Sequence, residues 1–182
     1  RYASALGDLA ELGQDRAGEE EILARAVIDA SGTWATPNRS RSGALGALGA
    51  IGETVPAVAR HLSYAMPDVL GRGRDRFAGR RVAVLGAGHS AIGTLVDLDR
   101  LAAAVPGTTV TWLLRSDHVG AAFQGGEKDQ LAARGALTTE AAALAASGRV
   151  EIRTGIRIDR LREEAGSLAI VTDRGDTILV DD

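Results

Sequence analysis

The sequence predicts an α/β fold, with helices winding a parallel sheet and a small antiparallel β-meander following it. Three observations predict it. In Arg81 to Gly93, RVAVLGAGHSAIG, four apolar residues (Val82 to Leu85) run straight into glycines, and the pattern then changes to helical spacing. Two further apolar runs, Val110 to Leu114 and Val150 to Arg153, recur at the spacing of strands joined by helices. The tail then breaks into short strand-like runs separated by turn residues.

In chain order, residues 1–18 show no sustained period and fit loop and short-strand structure at a domain periphery, and Glu19 to Glu21 read as a solvated turn or strand start. Ile22 to Ala30, ILARAVIDA, is a β-compatible run expected to be a buried strand, broken by Ser31-Gly32-Thr33-Trp34. Small residues at such a strand end expose N–H groups, so Ser31, Gly32 and Thr33 are candidates for ligand contact; a plain strand-to-loop transition is the competing reading. From Ala35 to Gly79 the chain is rich in Gly, Ser and Pro. The Gly-Ala-Leu repeats of Gly43 to Gly52 have helical content, but each interior glycine costs roughly 1 kcal/mol in a helix, which favours a packed connector. His61 in that connector reads as structural or exposed.

Gly86-Ala87-Gly88-His89-Ser90-Ala91 is a GxGxxA string immediately after the apolar strand. Its spacing has a physical reason. The first glycine permits the turn, the second lets the backbone approach a pyrophosphate, and a small third residue allows close helix-to-strand packing, with phosphate received by helix N–H groups. Ile92, Leu95, Leu98, Leu101, Ala102 and Val105 then keep one face apolar until Pro106-Gly107 stop the helix, giving a Rossmann-like βαβ unit. A glycine-rich βα turn in an unrelated α/β protein is the alternative; Gly71-Arg72-Gly73 is also a GxG but follows no strand.

The second strand ends at Arg115. An acidic residue about 20 residues past the glycines binds the ribose of NAD, whereas an Arg accommodates the 2′-phosphate of NADP. Arg115 therefore predicts NADPH; a solvated strand-end charge, or Asp117 swinging in to favour NADH, are the other readings. A loop, Ser116 to Gly126, precedes a helix best seen in Thr138 to Ala146 and stopped by Ser147-Gly148. Ile156 to Leu161, Ser167 to Thr172 and Thr177 to Val180 are the meander strands, with turns at Glu163 to Gly166 and Asp173 to Asp176.

Composition narrows the function classes. The chain has 182 residues and a formal net charge of −3, which argues against nucleic acid as the main partner. No run approaches the roughly 18 apolar residues of a membrane span, and no signal-like segment opens the sequence, so a cytoplasmic protein acting on a small-molecule substrate is the expectation. There is no cysteine, and His61, His89 and His118 do not stand at metal-ligand spacing with carboxylates, so no metal is expected. The first residue is Arg1, and the chain is expected to be part of a longer protein.

Three features resemble the two-dinucleotide-binding flavoproteins, the FAD- and NAD(P)H-dependent superfamily of flavin-containing monooxygenases and disulfide reductases. VIDASGTW, Val27 to Trp34, is similar to the closing strand of that family's FAD domain; HLSY, His61 to Tyr64, and the GAGHSA turn look like its monooxygenase branch. Gly52 to His61, GETVPAVARH, lacks the aromatic residues usual there. The resemblance implies an internal fragment in which residues 1–78 supply the tail end of a FAD domain and a connector, and residues 79–182 an NAD(P)H domain incomplete at its C-terminus. It implies FAD and NADPH as cofactors, hydride passing from NADPH to flavin, and FAD near Ser31, Gly32 and Thr33. No CxxC precedes the glycine turn, which disfavours the thioredoxin reductase branch. A single-Rossmann NAD(P)-dependent dehydrogenase and a non-catalytic NADP(H)-binding module are the alternatives. The cofactors carry the redox chemistry, and no catalytic acid or base is assigned.

Overall fold

The computed structural model describes residues 24–26, 39–40, 49–64, 66–120 and 132–182, the stretch 132–138 by its backbone alone. The chain divides into two compact units, residues 1–32 and 33–182. In the first, Ala24 to Ala26 are exposed with a bend at Arg25, so the buried strand expected over Ile22 to Ala30 does not form at its centre, where the run carries a guanidinium. The rest of that run lies outside the described residues.

In the second unit, β1 (Arg81–Leu85), β2 (Thr109–Leu113) and β3 (Glu151–Arg153) form a parallel sheet in the order β1-β2-β3. The pairing registers Val82 with Val110 and Thr111 with Glu151. This is the predicted arrangement, and the reason is topological: helical crossovers of one hand place each new strand beside the last. Helix α3 (His89–Ala104) joins β1 to β2, and α4 (Ala132–Ser147) precedes β3. Ile92, Leu95, Leu98 and Leu101 of α3 are buried with Val82, Val84, Val110 and Trp112 on one face of the sheet, each burial contributing roughly 1.5–3 kcal/mol. Ala141 and Leu144 of α4 close the same core.

The opposite face meets an antiparallel sheet of β4 (Ile158–Glu164), β5 (Ser167–Thr172) and β6 (Thr177–Val180), in that order. Ala83 and Leu113 of the parallel sheet pack there against Ile158, Leu161, Leu168, Ile170, Ile178 and Val180. Strand β4 differs from its expected span of Ile156 to Leu161. It starts two residues later, has a register shift between Ile158 and Arg160, and runs through the charged Arg162, Glu163 and Glu164, which lie exposed along the hairpin. The turn is thereby confined to Ala165 and Gly166, with φ of 51° and 84°, the left-handed pair that a tight hairpin needs.

The connector also contains two short helices that the sequence did not suggest, α1 (Pro56–Ala59) and α2 (Arg74–Phe77). Pro56 opens the first of them, at a position where its missing N–H has no intrahelical partner to lose. Val69 and Phe77 join the helix-side core, whereas Ala50 and Val58 join the other. Among the described residues no helix is long and apolar enough to cross a membrane.

Candidate dinucleotide site

The glycine turn sits at the C-terminal end of β1, as the sequence predicts, and each of its residues has a separate part. Gly86 has φ of +113°, a conformation that only glycine adopts without strain. Its N–H donates to the Leu113 carbonyl at 3.0 Å, and its own carbonyl accepts from Trp112 Nε1 at 2.7 Å. The turn is therefore fastened to β2 on both sides. Trp112, fully buried, is a supporting residue that the sequence reading missed, since it registered only as an apolar member of a strand.

Gly88 is the N-cap of α3, with extended backbone, and its carbonyl accepts the first helical bond from Ile92 N–H at 3.0 Å. No side chain caps this helix, so the N–H groups of His89, Ser90 and Ala91 have no partner within it, and no acidic residue lies in the first turn. A Cβ built at Gly86 or Gly88 would meet nothing within 4 Å among the described residues. None of those residues fills the space above Gly88, as a backbone that receives a ligand requires. Ala87, Gly88, His89 and Ser90 are exposed, while Ala91 is half-buried against the helix-side core, in agreement with the close packing asked of the third small residue.

Arg115 lies two residues past the end of β2, exposed, and makes no ion pair or hydrogen bond among the described residues. The Asp117 Oδ1 rests against Gly155, where a Cβ would come within 2.8 Å of it, and Gly155 N–H donates to the Ser116 carbonyl at 2.9 Å. The structure so brings Gly86 to Ala91 and Arg115 to the same, C-terminal end of the parallel sheet, the end at which open α/β sheets bind ligands. Ser31, Gly32 and Thr33, and the loop from Ala121 on, lie outside the described residues.

On the other side of β1 a cavity of about 260 Å³ is lined by Leu85, Ser90, Ala91 and Thr94 together with Tyr64 and Met66 of the connector. Its polar corner is built on Glu53, which is only 2% exposed. The Glu53 carboxylate accepts from Ser40 Oγ at 2.6 Å, Tyr64 Oη at 2.6 Å and Ala50 N–H at 2.7 Å. Burial opposes its ionisation, but these donors outweigh burial and hold the carboxyl below its ordinary range. The Tyr64 hydroxyl is pushed up in turn, by burial and then by its bond to that carboxylate. His61 is buried: Nδ1–H donates to the Asp181 carbonyl at 2.8 Å, and Nε2 accepts from Arg60 Nε at 3.2 Å, a pairing that fits one neutral tautomer. Neither Glu53 nor the partner of His61 was legible as such, because their contacts come from residues distant in sequence.

No protein-family model matches the chain, and no curated protein matches it. Among solved structures it is similar to a bacillithiol disulfide reductase from Bacillus cereus, at 19% identity and a TM-score of 0.47, over 80% of this chain and 34% of that one. A ferredoxin reductase from Rhodopseudomonas palustris is similar at 17% identity and a TM-score of 0.48, over 80% and 31%. A thioredoxin reductase from Gloeobacter violaceus is similar at 18% identity and a TM-score of 0.46, over 80% and 37%. The chain spans about a third of the length of these three proteins. All three of these neighbours are reductases by name.

Proposed function

We propose that the chain is the NADPH-holding part of an FAD-dependent oxidoreductase, with residues 79–182 as the nucleotide domain and residues 1–78 as the end of the flavin domain and its connector. The observation that carries this reading is the turn itself: a positive-φ glycine, an uncapped helix N-terminus and unfilled space over Gly88, all directly after a parallel strand. The N–H groups of His89, Ser90 and Ala91 receive the pyrophosphate, at the positive end of the α3 dipole. Arg115, with no partner to give up among the described residues, pairs with the 2′-phosphate through charge-assisted bonds. Asp117, held against Gly155, leaves the ribose edge without a carboxylate and so favours NADPH over NADH.

When both cofactors are bound, NADPH supplies hydride and FAD accepts it. The residues here hold and orient; Ser31, Gly32 and Thr33 serve the flavin side. For the onward step we favour a monooxygenase-like outcome, on the resemblance of HLSY and GAGHSA.

Calorimetric titration of the chain with NADPH, NADH and FAD tests the reading. NADPH is expected to bind at least tenfold more tightly than NADH, which corresponds to about 1.4 kcal/mol, and FAD is expected to be retained poorly. Equal affinity for the two nicotinamide cofactors removes Arg115 from the site, and tight stoichiometric retention of FAD shows that the flavin side is misplaced. NADPH-dependent oxygen uptake by the intact protein, with no disulfide reduction, is the expected mark of the monooxygenase-like outcome.

A further inference from the structure

One peptide of the glycine turn has its direction set from outside the turn. The Gly86 carbonyl and the Ala87 N–H belong to the same peptide unit, and no peptide bond among the described residues is cis. In a trans unit the C=O and N–H point in opposite directions, so whatever holds one of them aims the other. The Gly86 carbonyl accepts from Trp112 Nε1 at 2.7 Å. Trp112 is fully buried in the helix-side core, in register with Val84 of β1. The carbonyl is thereby drawn inward, and the Ala87 N–H faces outward, where Ala87 and Gly88 are exposed. That N–H makes no hydrogen bond among the described residues.

Gly86 itself leaves the direction open. Its N–H, bonded to the Leu113 carbonyl, fixes the peptide before it, but with φ of +113° and no Cβ its ψ is free to turn the peptide after it. A reversed peptide would carry the carbonyl oxygen outward, beside the N–H groups of His89, Ser90 and Ala91, and set a negative dipole end against an arriving anion. The indole N–H selects between these two arrangements. It also accounts for a tryptophan in a strand whose other buried members, Val110 and Leu113, are aliphatic: a buried indole finds an acceptor for its N–H, and an aliphatic side chain has no donor to give.

We propose that Trp112 is a positioning residue for the dinucleotide: it holds the Gly86 carbonyl inward, so that the Ala87 N–H stands ready as a further donor to the pyrophosphate. This rests on the NADPH reading given above. Trp112 touches no part of the cofactor and acts through the one peptide it orients. Loss of its N–H leaves the α3 N-terminus and Arg115 in place, so the effect falls on the pyrophosphate and not on the 2′-phosphate. NADPH and NADH share the pyrophosphate. Both therefore bind less tightly without the indole N–H, while the preference between them stays as it was.

Two substitutions test this: benzothienylalanine at Trp112, which keeps the bicyclic shape with sulfur in place of the N–H, and Trp112→Phe. In calorimetric titrations of the 182-residue chain, each is expected to weaken NADPH about tenfold and NADH by the same factor. The thermal midpoint is expected to fall further with Trp112→Phe than with the isostere, because only phenylalanine leaves space unfilled. Affinity thus follows the N–H and not the packing. In amide spectra NADPH is expected to move the Ala87 proton downfield in the parent and to leave it in place in the isostere, with the Val82 and Val110 amides reporting an intact sheet. Three results overturn the proposal alone: full NADPH affinity in the isostere, an affinity loss that tracks the midpoint across the two substitutions, or an Ala87 proton that moves equally in parent and isostere. A parent chain that binds no NADPH overturns the cofactor reading and this proposal with it.

Discussion

Gly86 and Gly88 are two positions apart and ask opposite things of a substitution. At Gly86, with φ of +113°, any side chain strains the backbone, so Gly86→Ala is expected to lower stability by about 1–3 kcal/mol, read as a fall in the thermal midpoint. At Gly88 the backbone is ordinary and the Cβ space is open. Serine is a good N-cap, so Gly88→Ser is expected to keep or slightly raise the midpoint. Its hydroxyl would, however, accept the N–H groups that the pyrophosphate needs, and NADPH affinity is expected to fall at least about tenfold. Loss of stability in both variants, or unaltered NADPH binding by Gly88→Ser, would contradict this division. Arg115→Ala is expected to weaken NADPH by roughly 10- to 150-fold, the worth of a charged hydrogen bond, while NADH binding barely changes. The glycine pair was legible because a positive φ and a ligand-facing backbone both select for the absence of a side chain. Trp112 was not, because its bond to the Gly86 carbonyl crosses 26 positions and exists only in the observed β1–β2 register.

Elements were legible in proportion to their length and period. Helix α3 carries an apolar residue every three positions from Ile92 to Leu101 and has a proline-glycine stop, and its bounds came out within a residue or two. Leu98, fully buried in its middle, is expected to cost about 2–5 kcal/mol when cut to alanine, measured by denaturant unfolding. A loss below about 1 kcal/mol would mean that α3 does not pack on the sheet as described. By contrast α1 and α2 span four residues each, too few for any periodicity, and the Pro and Gly around them read as breakers although Pro56 starts a helix. In β4 the charges at Glu163 and Glu164 read as part of a turn, Glu163 to Gly166. They are a strand end whose side chains face water, and the glycine after Ala165 marks where the chain reverses.

For the unit of residues 33–182 as a whole, the order of the parallel strands followed from chain connectivity, but the covering of the sheet's second face did not. A meander can fold onto either face of a sheet or off its edge. Here the choice is expressed in Ala83 and Leu113, whose small and apolar side chains meet β4 and β5, and in the return of the chain to β1 at Asp181. Arg81 is the residue that ties the two sheets, through both carboxylate oxygens of Asp181 and through Ser167 Oγ at 2.9 Å. Its hydrogen bonds pull the Asp181 carboxyl down to about 2, against the opposing effect of burial. In an unfolded chain an aspartate titrates near 3.9, so between these values the unfolded state binds the proton more readily. The stability contributed by this pair is therefore complete above about pH 5 and is lost as the pH falls from about 4 to about 2. Because the Arg81 guanidinium is largely exposed, water and salt screen the pair, and its worth is expected to stay within about 1 kcal/mol. Asp181→Asn should be less stable than the parent at neutral pH by that amount, and the two stability curves should converge as the medium is acidified. Added salt should narrow the gap at neutral pH. Curves that remain parallel down to pH 2 would show that some other carboxylate governs how the two sheets come apart in acid.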